Sequence, residues 1–344
     1  MKYNAVDLFS GCGGMTEGLI NAGFRVISAI ELDKDAAQAY LLNHQQHGVK
    51  LFLEDIRDVH ADRIAQILSG ERLHLLAGCP PCQGFSLIRR KNKKKPIPDS
   101  RNSLILEYLR FVEALSPMTI MLENVAGIKD YHLFKKVFKK LEALGYYLTS
   151  GVVDAASYGV PQRRKRFVLL GSLISQIQIP KGSSTMVTVR NAIGNLEAPE
   201  NSVDALHNRY PRHTVNIMER IKLIPCDGGS RKDLPEIYTL KCHKKDGVGF
   251  KDVYGRLKWD NVSSTITGGC LNPSKGRFLH PEKHRCITAR EAAILQSFRR
   301  NYIFPENISL TKIAQMIGNA LPPLFCQAQG EAIKDNLDLI FFKN

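Results

Sequence analysis

The run Gly78-Cys79-Pro80-Pro81-Cys82-Gln83 places thiol chemistry just after an apolar segment. Three readings fit it. One is a redox C-x-x-C, although that motif normally opens a helix, and here a glycine and a basic loop follow. Another is half of a zinc site, but Cys226, Cys242, Cys270 and Cys286 show no paired short spacing. The third is a single nucleophile on a loop stiffened by two prolines. Pro80-Pro81 would then fix Cys82 over a sheet edge, with Cys79 as a buried neighbour.

Three further clusters carry polar chemistry. Glu123-Asn124 ends an apolar run, where burial tends to raise a carboxyl pKa and lets it hold a proton. The asparagine suits a loop held through backbone hydrogen bonds, and a plain strand-end turn is the alternative. Phe9-Ser10-Gly11-Cys12-Gly13-Gly14 is a glycine-rich turn that lets a ligand approach the backbone. Thr16 stands where the last glycine of G-x-G-x-x-G would be, and no Gly-Lys-Ser/Thr follows, so a phosphate clamp is disfavoured. Glu31, 20 residues after Gly11, suits ribose hydroxyls, and Asp55 suits an adenine amine. A structural turn with two solvated carboxylates is the alternative. Arg163-Arg164-Lys165-Arg166 suits phosphate or carboxylate contacts, and in a strand Arg164 and Arg166 would share a face.

Elements must position these groups. Short strands are expected at 5–9, 26–30, 49–53, 73–77, 119–122 and 167–170, and helices at 15–22, 33–43, 103–115 and 134–144. Their alternation implies an α/β fold, a parallel sheet with helices on both faces, whose ligands bind beyond the carboxyl ends of the strands. The candidate residues fall at those ends. From Pro180 to Pro281 the periodicity weakens, which implies a second, irregular domain. Regular structure resumes with a capping box at Thr288–Glu291, and helices are expected to about Phe298, at 310–317 and at 324–332.

The chain has 344 residues, with 48 Lys and Arg against 33 Asp and Glu, a formal charge of +15 that suits a polyanion, nucleic acid first. Eight cysteines are too few for a disulfide scaffold and suit a reducing compartment. No apolar window is long enough to span a membrane, and no signal-peptide core follows Lys2, so a soluble intracellular protein is expected.

Taken together, DLFSGCGGMTEGL at 7–19, GCPPCQGFS at 78–86, ENV at 123–125, YGVPQRRKR at 158–166, HRCITAREAAILQSF at 284–298 and QMIGNALPP at 315–323 resemble the DNA cytosine-5 methyltransferases, in that family's usual order. The likeness spans nearly the whole chain. It implies a Rossmann-like S-adenosylmethionine-dependent methyltransferase domain from 1–175 and 283–344, and a small target-recognition domain at 176–282. It makes Cys82 the nucleophile, Glu123 the group on the cytosine ring, Arg164 the contact to the base carbonyl and Arg166 its support. Phe9, Gly11, Gly13, Glu31, Leu32, Asp55, Ile56, Pro80, Asn319 and Ala320 would bind the cofactor. Gln83, Ser86, Arg89, Arg90, Lys93, Thr265 and Thr267 would meet DNA.

Two positions depart from the most familiar small members. Asn102 follows Arg101 where many have glycine, and Lys93-Lys94-Lys95 makes the active-site loop unusually basic. A transfer-RNA-modifying branch shares the fold, but its Cys-Phe-Thr tripeptide is absent here. The resemblance therefore implies double-stranded DNA as substrate, S-adenosylhomocysteine as by-product and no metal. It also implies a prokaryotic cytoplasmic enzyme of a restriction–modification pair, acting as a monomer, with any endonuclease separate. An RNA methyltransferase, a silent DNA-binding relative and a thiol redox protein are the competing readings. Within 176–282 no base contact is assigned; His207, Arg209, Arg212, Lys241, Lys251, Arg256 and Lys275 are candidates for DNA.

Overall fold

The computed structural model describes residues 3–81, 103–240 and 252–340. Contacts divide the chain into two units. The first takes Met1–Tyr158, Lys165–Gly182 and Leu321–Asn344, and the second takes Gly159–Arg164 and Ser183–Ala320.

The first unit is built on one sheet. Its strands are β1 (Asn4–Leu8), β2 (Arg25–Glu31), β3 (Lys50–Leu53), β4 (Leu75–Gly78), β5 (Thr119–Asn124), β6 (Tyr147–Asp154) and β7 (Lys165–Ser172), in the order β3-β2-β1-β4-β5-β7-β6. Every residue of β1, β4 and β5 is buried, as strands covered on both faces must be. The helices are α1 (Gly14–Asn21), α2 (Lys34–His44), α3 (Asp62–Leu68), α4 (Leu104–Leu115) and α5 (His132–Ala143). Asp33 caps α2 by accepting from the backbone N–H of Asp35 and Ala36. Phe134, Val137 and Leu141 form the buried stripe of α5 at helical spacing.

The sheet is mixed rather than wholly parallel. β7 runs antiparallel to both β5 and β6. A parallel return needs a long crossover, usually helical, whereas the connection from β6 to β7 is the ten residues 155–164, with a 3₁₀ turn at Ala155–Tyr158 as its only helical part. β6 and α3 are elements that periodicity did not disclose. β6 is partly exposed along its length, so its side chains carry no clean alternation.

One buried group in this sheet titrates. Asp7 in β1 is fully buried; Thr16 Oγ1 donates to its Oδ2 at 2.7 Å, and its Oδ1 has no hydrogen-bond partner among the described residues. Burial, opposed by the Thr16 bond, pushes its pKa from 3.8 up to about 7. The folded state therefore favours the protonated acid. The stability linked to that proton is complete below pH 3.8 and is lost as pH rises through about 7. Asp7→Asn keeps an oxygen for Thr16 and cannot ionise. Its melting temperature is expected to fall less than that of the wild type across this interval. Equal slopes in melts followed by circular dichroism would contradict this.

The second unit is irregular. It holds α6 (Val189–Ile193), α7 (Ala205–Asn208), α8 (Val215–Leu223), α9 (Ala289–Leu295) and α10 (Leu310–Asn319), with isolated bridges such as Arg256 to Leu279. The Thr288–Glu291 capping box opens α9. A small core gathers Ile221, Ile224, Val253, Tyr254, Leu279 and Cys286. The final helix, α11 (Pro323–Asp338), belongs to the first unit. By contacts the chain returns to that unit at Leu321, whereas the sequence placed the return at 283. The difference arises because α9 packs on α6, α7 and α10, all within the second unit.

Arg256 is fully buried in the second unit. Its guanidinium donates to the carbonyls of Ile221, Ile224, His280 and Lys283, and lies 3.0 Å from His284 Nδ1. It thus caps the end of α8 and ties down the 280–284 turn, which corrects its candidacy as a DNA contact. Arg256→Met is expected to cost about 3 kcal/mol or more, because several buried carbonyls lose their donor together. Urea unfolding of the variant checks this, and an unchanged midpoint would refute it. His207 is likewise buried, with its ring between Thr288 Oγ1 and the Glu197 carbonyl, and Arg209 donates to the carbonyls of Glu306 and Ile308. Arg212 and Lys275 are exposed; Lys241 and Lys251 lie outside the described residues.

Candidate active site

β1 lies between β2 and β4, so the connections leave it in opposite directions, and the crevice beyond its carboxyl end is the natural ligand site. The turn after β1 is built for close approach. Phe9 has φ 65°, a left-handed conformation uncommon for a bulky residue, and Gly11 and Gly13 follow at φ 55° and 96°. A Cβ placed on Gly11 would find no atom within 4 Å, so the turn faces open space.

Glu31, at the end of β2, is fixed beside this turn. Its Oε2 accepts from Gly11 N–H at 2.7 Å, and its Oε1 from the N–H groups of Leu32 and Asp33 at 2.9 and 2.7 Å. Burial raises its pKa, against the lowering effect of these backbone bonds. A carboxylate anchored on several donors in this way has its orientation set before any ligand arrives. Leu32 next to it is 62% exposed, an apolar surface on the open side. Asp55 follows β3, and Ile56 is buried behind it. Arg57 holds both carboxylate oxygens of Asp55, an interaction that sequence reasoning missed although the two residues are only two apart. These bonds hold the Asp55 pKa below its ordinary value.

Parallel pairing of β4 with β5 sets Gly78 opposite Leu122. The next residues, Cys79 and Glu123, therefore meet. Cys79 Sγ lies 2.6 Å from Glu123 Oε2 and donates to it. From the other side, β5–β7 pairing sets Glu123 opposite Val168, which brings Arg166 onto the diagonal. Arg166 Nε lies 2.9 Å from Glu123 Oε1. That oxygen is buried and accepts no well-aligned hydrogen bond among the described residues. Asn124 donates to the Pro80 carbonyl at 2.9 Å and so anchors the start of the proline loop. Cys82, Gln83, Ser86, Arg89, Arg90 and Lys93 lie outside the described residues.

Arg164 does not share a face with Arg166. β7 begins at Lys165, so strand alternation never reaches Arg164, which belongs to the second unit. It is buried there and donates to the carbonyls of Ile266, Gly318 and Ala320 at 3.0–3.1 Å. Those donors are committed to backbone carbonyls. Thr265 also turns inward, donating to the Arg163 carbonyl at 2.7 Å, and Thr267 Oγ1 accepts from Gly269 N–H. Gly318 packs so closely on Thr267-Gly268 that a Cβ there would come within 2.1 Å of backbone. Asn319 is exposed at the end of α10, and Ala320 also accepts from Gln296.

Among the described residues no group of His, Cys, Asp and Glu is placed to hold a metal ion, and no helix is long and apolar enough to cross a membrane. Burial pushes Cys12 and Cys270 up to about 12, and raises Cys286 and Cys326 further. Those thiols are poor sources of thiolate.

The sequence profile of the C-5 cytosine-specific DNA methylases matches residues 3–335. The chain belongs to that family. This methylase is 33% identical to the Type II methylase M.HgiDII of Herpetosiphon aurantiacus, over 97% of the chain and 95% of the relative. It is also 33% identical to the Type II methyltransferase M1.HphI of Haemophilus parahaemolyticus, over 97% and 87%. Its fold matches a solved candidate DNA modification methyltransferase encoded within an E. coli prophage, with a TM-score of 0.74 at 23% identity, covering 98% of the methylase and all of that chain. The methylase transfers a methyl group from S-adenosylmethionine to C5 of cytosine in double-stranded DNA. The oriented Glu31, the exposed Leu32 and the open space at Gly11 fit a nucleoside donor.

Proposed function

We propose that the methylase acts by covalent catalysis through Cys82 on a cytosine extruded from the duplex. C5 and C6 are hidden in the stack, so extrusion comes first and costs a few kcal/mol. The Cys82 thiolate attacks C6, forming an S–C6 bond and pushing electrons through the ring toward N3 and C5. Glu123, carrying a proton, donates to N3, and its other oxygen accepts from the exocyclic amine. Arg166 offers positive charge to the base carbonyl. When bound, S-adenosylmethionine supplies the methyl group as an electrophilic sulfonium. After transfer a base, acting through water, removes the C5 proton, and elimination restores the Cys82 thiolate.

The observation that carries this reading is the buried Glu123, held by Cys79 and Arg166 at the carboxyl end of β5 with one oxygen still lacking an aligned donor. Cys82 is favoured over Cys79 as nucleophile because the Cys79 thiol donates its hydrogen bond to Glu123 Oε2, a contact that a Cys79 thiolate would lose. Phe9, Gly11, Gly13, Glu31, Leu32, Asp55, Ile56 and Pro80 form the donor site in this reading, and Asn319 and Ala320 are the further residues proposed for the donor. Arg164 organises the Ile266, Gly318 and Ala320 backbone, with Thr265 and Thr267 beside it.

The second unit serves as the target-recognition part. Arg212 and Lys275, with the basic loop and its Gln83, Ser86, Arg89, Arg90 and Lys93, supply DNA contacts. The Type II naming of both relatives supports a restriction–modification system; a prokaryotic cytoplasmic monomer with a separate endonuclease is part of the same proposal. The test is mass spectrometry of nucleosides from a methylation-free host expressing the methylase. 5-Methylcytosine in DNA is expected, and bisulfite sequencing then reads the site. A mark found in RNA alone would favour the RNA reading, and no mark despite donor binding would favour a silent binder.

A further inference from the structure

We infer that Cys79 is a positioning residue for the reaction, acting through Glu123. The inference rests on the role proposed above for that carboxylate. It starts from the sheet register, which sets Gly78 opposite Leu122 and delivers the next side chains to each other. The Cys79 thiol then donates to Oε2 of Glu123 at 2.6 Å. The two oxygens are thereby made unequal. Oε2 is held by the thiol, while Oε1 lies beside Arg166 without an aligned hydrogen bond. A glutamate side chain with only the Arg166 charge to hold it has rotamer freedom that a reacting base must remove. The thiol removes it beforehand and leaves Oε1 open to the base. Cys79 itself sits on a fixed loop, because Asn124 donates to the carbonyl of the next residue, Pro80.

The position therefore has a chemical requirement: a short side chain that donates a hydrogen bond. Serine meets it and alanine does not. The test measures steady-state methyl transfer to unmethylated bacterial duplex DNA by the full-length wild type, Cys79→Ala and Cys79→Ser, and repeats Cys79→Ala in a Glu123→Gln background. Cys79→Ala is expected to lower kcat about ten-fold, the scale of one hydrogen bond to a carboxylate, with KM for DNA and donor within about two-fold. Cys79→Ser is expected to recover most of the loss. In the Glu123→Gln background the same substitution is expected to have little further effect, since a residue acting through another loses its influence when that partner is changed.

A Cys79→Ala enzyme at wild-type kcat would overturn the inference. So would a Cys79→Ser enzyme no faster than Cys79→Ala, or a full ten-fold loss persisting in the Glu123→Gln background. If Cys79→Ala does not fold, the serine variant and its own cycle with Glu123→Gln decide alone. A wild-type enzyme that is active while Glu123→Gln matches it would instead defeat the role proposed for Glu123, a distinguishable failure.

Discussion

A Cys82→Ala enzyme binds S-adenosylmethionine as the wild type does and places no methyl group on DNA: this is the largest effect expected of any single substitution here. The C5 position of cytosine is a weak nucleophile until the neighbouring C6 has accepted an electron pair. No other group in the proposed site supplies that pair. Four of the described cysteines are buried with raised pKa, and the Cys79 thiol is engaged as hydrogen-bond donor to Glu123. The loss is expected to be about 10⁴-fold or more in kcat, the scale seen when a covalent nucleophile is removed. Donor binding should be spared, because the donor site is assembled by the turn after β1 and by Glu31. Labelled methyl transfer together with equilibrium dialysis of the donor checks both halves. Residual transfer within about ten-fold of wild type would show that C6 attack does not depend on this thiol.

Glu123→Gln is expected to lower kcat by about 10²- to 10³-fold with little change in KM for DNA. The substitution keeps the volume and one acceptor oxygen, so the base still finds a hydrogen-bonding partner. It removes the acidic proton that N3 needs as negative charge develops on the ring. It also changes the group beside Arg166, which lies 2.9 Å from Oε1. Because the lost interaction belongs to the transition state, the effect falls on kcat. A rise in KM with kcat unchanged would mean that Glu123 binds the base without taking part in the chemistry.

The two effects differ in how far the sequence alone led to them. Cys82 and Glu123 stand in short runs whose residue types already suggest a nucleophile and an acid, and the order of six such runs resembles one family. Glu31 was legible for a similar reason: its distance from Gly11 matches a strand–turn–helix–strand unit, and the turn does hold its carboxylate. The Thr288–Glu291 capping box was legible because it is local, both of its bonds closing within four residues.

Other features were not legible, because they depend on partners distant in sequence. Arg164 and Arg166 are one residue apart and chemically alike, yet one faces Glu123 and the other donates to three carbonyls at 266, 318 and 320. Only the starting point of β7 separates them. Arg256 reads as a surface cation until the fold wraps backbone carbonyls from two segments around it. The antiparallel β7 was hidden because strand periodicity is the same in either direction, and only pairing reveals it.

The sequence by itself determined the chemistry: a methyl-transfer family, a nucleoside-binding turn, a candidate thiol and a candidate acid. The family follows from the resemblance of six runs in order, and the candidates from residue type and short-range spacing, all of which survive without a fold. The tertiary structure decided which polar groups remain open to substrate and which are consumed in holding the protein together. That division is set by burial and hydrogen-bond satisfaction between segments as much as a hundred residues or more apart. It set Arg256 and Arg164 among backbone carbonyls, and it brought Cys79 and Arg166 to Glu123.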